Sequence, residues 1–108
     1  MAQIPIPFQL SGPMALRLIR EIAQDSSRVI VTTHARKRMR ERRISLPQVL
    51  NCLVKGQIAE GPAQDVHGNW VCTLRWRDAG DFLRVAVALK HDVTTGHKVI
   101  VITVMYED

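Results

Sequence analysis

The chain has 108 residues, of which 46% are apolar and 23% charged, and 15 lysines and arginines against 10 aspartates and glutamates give it a formal charge of +5 and a pI near 9.9. This length and balance describe one soluble domain with a real core and argue against a disordered chain. No run approaches the roughly 20 apolar residues that cross a bilayer, and Cys52 and Cys72 lack any C-x-x-C spacing, so two free buried thiols in a reducing cytoplasm are expected rather than a disulfide scaffold.

Pro5, Pro7 and Pro13 oppose helix at the start, which predicts an extended arm over residues 1–12 ahead of a single domain over 13–108. The arm has neither the charged region nor the continuous apolar region of a signal peptide. A first helix is predicted from Pro13 to about Asp25, capped by Ser11 or Gly12. It sets Met14, Leu18, Ile19, Ile22 and Ala23 against a polar side of Arg17, Arg20, Glu21 and Gln24. Val29-Ile30-Val31 reads as a short strand. Thr32 or Thr33 can cap a second helix over 34–43. Ser45-Leu46-Pro47-Gln48 is a capping box opening a third helix, with Val49, Leu50, Leu53 and Val54 on its apolar side and Gly56 as its terminator.

The second half changes period. Ile58-Ala59-Glu60 is a possible first strand. From Trp70 to Arg77, Trp70, Cys72, Leu74 and Trp76 alternate with Val71, Thr73, Arg75 and Arg77. After the turn at Asp78–Asp81, Leu83, Val85, Val87 and Leu89 alternate with Arg84, Ala86, Ala88 and Lys90. Thr94-Thr95-Gly96 is the next turn, and Val99–Tyr106 is apolar on both sides, as a central strand would be. The expected class is α+β: N-terminal helices packed on one face of a three- to four-stranded antiparallel sheet. Thr73, Arg75, Arg77, Arg84 and Lys90 would share its opposite face, where small Ala86 and Ala88 leave room for a ligand.

The second helix carries the chemistry. Arg36, Lys37, Arg38, Arg40, Arg42 and Arg43 are opposed only by Glu41, and same-sign pairs at i and i+4 disfavour such a helix unless counter-charges arrive. Guanidinium forks match phosphate oxygens, which points to nucleic acid. His34, Arg38 and Arg42 fall at i, i+4 and i+8, on one side. At the head of a helix His34 meets the positive end of the macrodipole, a setting that suits a neutral ring able to accept a proton. Metal-independent RNA cleavage needs a base for the ribose 2′-hydroxyl, cations at the crowded phosphate and an acid for the leaving oxygen. His34 or Glu41 can be the base, Arg38, Arg42 and Arg75 the cations, and Tyr106 or a second histidine the acid. Arg36, Arg40, Arg75, Arg77 and Arg84 would bind the RNA. No paired Cys/His spacing supports zinc, and scattered carboxylates do not support a two-metal site. His67 reads as a solvated turn residue, and His91 and His97 flank a turn and read as equally ordinary. Trp70 and Trp76 lie on the alternating apolar face and read as core. The alternative is a basic module that binds nucleic acid or protein without catalysis.

At Thr33-His34-Ala35, Arg38, Arg42, Ile44-Ser45 and Val49 the chain resembles the bacterial family known as domain of unknown function 4258. Its members carry a T-H-A-x-x-R-x-x-x-R-x-I-S-like run, a helix ending in glycine (here Gly56) and a closing strand similar to Val101-Ile102-Thr103-Val104. The resemblance spans about residues 28–106 and leaves residues 1–27 outside. It implies a fold like that of the RelE and BrnT ribonuclease toxins. It also implies endoribonuclease activity without a cofactor, an acidic antitoxin as partner, and functional positions at His34, Arg38, Arg42 and Thr103.

Overall fold

Each helix begins where a side chain caps it. In the computed structural model, which describes residues 10–92 and 96–107, α1 spans Gly12–Ala23 and the Ser11 hydroxyl accepts the Met14 N–H at 3.3 Å. Helix α2 spans Thr33–Arg42 and is capped by Thr32, whose hydroxyl accepts the Ala35 N–H at 3.0 Å. It ends at Arg43, a left-handed residue (φ 55°). Helix α3 spans Leu46–Lys55 and opens with the full capping box of Ser45 and Gln48. The extended arm expected over 1–12 falls mostly on residues 1–9, outside the described residues. Of the remainder, Leu10 is buried, Ser11 is the cap and Gly12 already belongs to α1.

The sheet contains β1 (Val29–Val31), β2 (Gln57–Gln64), β3 (Trp70–Asp78), β4 (Asp81–Asp92) and β5 (Gly96–Tyr106), in the order β1-β5-β4-β3-β2. It therefore has five strands, not three to four, and it is mixed rather than antiparallel. β1 runs parallel to β5, with Ile30 opposite Ile100, while the other neighbours are antiparallel. Three residues are too few to display a period, and the partner of β1 lies far along the chain, so nothing local announces this pairing.

Leu74, Leu83, Val85, Val87, Val99, Val101 and Val104 are fully buried beneath the helices, together with Ile19, Ile22, Val49 and Leu53. Each such side chain contributes about 1.5–3 kcal/mol by leaving water. Trp70 and Trp76 are half-buried and pack against this core. Cys52 and Cys72 are free and buried, and desolvation pushes their thiols up to about 12 and about 11, so neither is a nucleophile.

Strand β5 carries a bulge. Thr103 pairs with Ala86 and Val101 with Val87, leaving Ile102 as the extra residue. The bulge flips the alternation: Val99 and Val101 point into the core before it, Val104 after it. Thr103, Met105 and Glu107 consequently fall on the face opposite the core.

Gly56 sits at the junction of α1, α3, β2 and β3. Its carbonyl accepts a hydrogen bond from Arg20 at 3.0 Å, and a Cβ added there would overlap the Cys52 carbonyl oxygen and lie 2.8 Å from that of Arg75. Its conformation is extended (φ −73°, ψ 176°). Glycine ends α3 here because two backbones approach closely, not because a left-handed turn requires it. No helix of the described residues is long and apolar enough to cross a membrane.

Candidate nucleic-acid interface

Helix α2 lies along the stretch of β5 that β1 leaves unpaired. Ala35 is fully buried and Met39 packs on the core, as the helical spacing predicts. Two polar contacts fix the two ends. The Thr32 N–H and hydroxyl both donate to the Val101 carbonyl, at 3.2 and 2.9 Å, which pins the head of α2 beside the bulge. At the other end Arg42 Nη1 donates to the Val104 carbonyl at 2.6 Å. Arg42, placed by its spacing among the catalytic candidates, is thus bonded to an edge carbonyl that would otherwise lack a protein partner.

His34 and Arg36, Arg40 and Arg43 are exposed, and no carboxylate of the described residues forms an ion pair with these three arginines. Glu41 is committed differently. It accepts from Arg38 at 2.6 Å and lies 3.9 Å from Lys37. The Arg38 hydrogen bond holds its carboxyl below the usual carboxylate range, with the charges of Arg38, Lys37 and Arg42 adding to the effect. A carboxylate held ionised in this way is a poor proton acceptor. Arg42→Ala is expected to cost about 1 kcal/mol of stability in a denaturant titration, the charged hydrogen bond being partly exposed. A loss of RNA cleavage at unchanged stability would show instead that Arg42 meets the substrate.

The open face of the sheet is less cationic than its alternation indicates. Arg75 is held by Glu107 through two hydrogen bonds of 2.6 and 2.9 Å, and Arg84 pairs with Glu60 at 3.2 Å and lies 3.5 Å from Glu107. Arg75 keeps the Glu107 carboxyl below its ordinary range and Arg84 adds to this. Ala86 joins Glu60, Thr73, Arg84, Thr103 and Met105 in lining a hollow of about 80 Å³. A larger one, about 420 Å³, spreads from Ala86 to Ile102, Val71 and Gly61. Ala86 lines both hollows and Ala88 neither, and the walls combine apolar groups with the Arg84–Glu60 ion pair. Arg77 and Lys90 are exposed.

The structure brings His34, Arg36, Arg38 and Arg40 onto one helix and sets its head beside Ile102. Of the two hollows at Ala86 just given, the smaller is lined by Arg84, and neither is lined by His34, Arg38 or Arg42. The acid candidates lie elsewhere. Tyr106 accepts a hydrogen bond from Gln48 at 3.0 Å. His91, which is exposed, and His97, which is buried, are strand residues at the paired ends of β4 and β5. They face each other across β4 and β5 with Nδ1 atoms 2.9 Å apart, and His97 is 4% exposed. Their equal distance from Thr94 was the signal in the sequence. Asp65 holds the turn beside His67 by accepting the His67 and Asn69 N–H groups. Among the described residues no group of three or more His, Cys, Asp or Glu is placed to hold a metal ion.

Fold and surface together define a small α+β domain with a mixed sheet and a cationic helix along the part of β5 that extends beyond β1. Residues 31–106 match the sequence model of the family described as Domain of unknown function (DUF4258), and the chain belongs to that family. No curated protein matches the chain, and no solved structure does.

Proposed function

We propose that this protein binds single-stranded RNA along α2 and cleaves it without a metal, as a toxin-type endoribonuclease. The observation that carries this reading is an exposed imidazole, His34, one helical turn from the Arg38 guanidinium, at a helix head fixed against the β5 bulge. His34 takes the proton of the ribose 2′-hydroxyl. The oxygen attacks the adjacent phosphorus, the bond to the 5′-oxygen breaks, and a 2′,3′-cyclic phosphate forms while water protonates the leaving oxygen. Arg38 exchanges Glu41 for the phosphate and stabilises the added negative charge, and Arg36 and Arg40 hold neighbouring phosphates. A RelE-like fold and an acidic antitoxin belong to the same proposal. Helices on one side of the sheet and an open opposite side support the first. The guanidiniums of Arg36, Arg40 and Arg43, which form no ion pair among the described residues, support the second, since acidic side chains would meet them as phosphates do.

Incubating purified protein with labelled RNA in excess chelator tests this, with fragments ending in cyclic phosphate as the expected result. Affinity for an uncleavable 2′-O-methyl RNA, followed between about 50 and 200 mM salt, tests the binding half. Replacing Arg36 and Arg40 together by Ala is expected to reduce the slope of log K against log salt by about 1.4, or about 0.7 per phosphate contact. The second reading, a binding module without catalysis, is favoured by one observation: Arg38, Arg42, Arg75 and Arg84 are all bonded within the protein rather than free for a reacting phosphate. Salt-sensitive binding with intact RNA would decide for it.

A further inference from the structure

We infer that a second RNA contact lies where β3 outruns β2, in a cleft that seats one unpaired nucleotide; this rests on the RNA-binding reading above. Gln57, the first residue of β2, pairs with Arg75, so Trp76 and Arg77 extend past the end of β2. The resulting cleft is about 470 Å³ and is lined by Lys55, Ile58, Arg75, Trp76, Arg77 and Phe82 among others.

Two properties fit a nucleotide. The first is a flat platform that is already ordered. The Arg75 guanidinium carbon lies 3.5 Å from the centre of the Phe82 ring, and Glu107 grips the same guanidinium through two hydrogen bonds. Bases stack on guanidinium planes as they do on aromatic rings, and a plane fixed in advance loses little freedom when the base arrives. Half-buried Trp76 supplies a second ring, with Lys55 Nζ 5.9 Å from its centre. The second property is charge left over for phosphate. Lys55 and Arg77 are exposed, and no carboxylate of the described residues forms an ion pair with either. Paired RNA keeps its bases inside the helix, so stacking here selects single strands. Helix α2 would hold one part of the strand and this cleft another.

Trp70→Phe leaves Trp76 as the sole tryptophan and makes its emission a local probe. With a 2′-O-methyl oligoadenylate, the expected result is saturable quenching of Trp76 at the midpoint given by fluorescence anisotropy of the labelled strand. Lys55→Glu with Arg77→Glu should abolish the quenching and weaken binding about tenfold. Phe82→Leu, which keeps apolar bulk without the ring, should also weaken binding. Arg36→Glu with Arg40→Glu should lower affinity yet leave the quenching at saturation intact. A strand that binds by anisotropy without changing Trp76 emission, and binds the Lys55/Arg77 variant as tightly as wild type, would overturn the cleft and leave α2 as the RNA surface. An absence of anisotropy change with wild type would overturn the RNA reading and the cleft with it.

Discussion

Replacing His34 by Ala is expected to slow RNA cleavage by about 10²–10⁴-fold, the range general-base catalysis supplies. Affinity for uncleavable RNA should stay within about twofold, because the proposed binding mode places phosphates on the arginines rather than on the imidazole. His34 is exposed and its side chain is not part of the core, so the melting temperature should not move. Cleavage and affinity are both measurable on the same RNA, one in its natural form and one 2′-O-methylated. Cleavage that persists at the wild-type rate would remove the imidazole from the reaction. Equal loss of cleavage and affinity would make His34 a binding residue.

Gly56→Ala carries the largest expected effect on stability. The added methyl would strike the Cys52 carbonyl within α3 and press on the Arg75 carbonyl of β3. Both obstacles are backbone, so neither can rotate away, and α3 would have to shift from the sheet. A cost of about 1–3 kcal/mol is expected from this overpacking. That corresponds to a fall in melting temperature of roughly 5–20 °C for a domain of this size. Thermal unfolding followed by circular dichroism gives the answer. A melting temperature within about 2 °C of wild type would show that the junction yields easily.

Features announced by neighbouring residues were legible in the sequence. Ser45 and Gln48 lie three apart and form their capping box in the structure, and the alternation from Trp70 to Leu89 identifies both β3 and β4 with the correct face inward. Features that depend on register were not legible. Glu107 follows a strand that reads as apolar on both sides. Only the parity change at Ile102 puts it beside Arg75 and Arg84, where it offsets a cluster that looks purely basic in sequence. Arg42 shares the spacing of His34 and Arg38, yet its role follows from the end of β1 at Val31, which leaves the Val104 carbonyl for it. The candidate cleft had two visible components, Arg75 and Arg77. Its depth comes from the offset between β2 and β3, a property of pairing rather than of either strand.

The contact between Thr32 and Val101 joins groups 69 positions apart in the chain. During translation the basic helix therefore leaves the ribosome long before the strand that seats it. Until residues 99–104 have been made, α2 has no place to dock and β1 has no neighbour to pair with. Pairing between such distant segments forms late in folding. His34 and the arginines behind it take up their fixed geometry only then, so a nascent chain stopped short of Val99 would carry the charges of this surface without its arrangement.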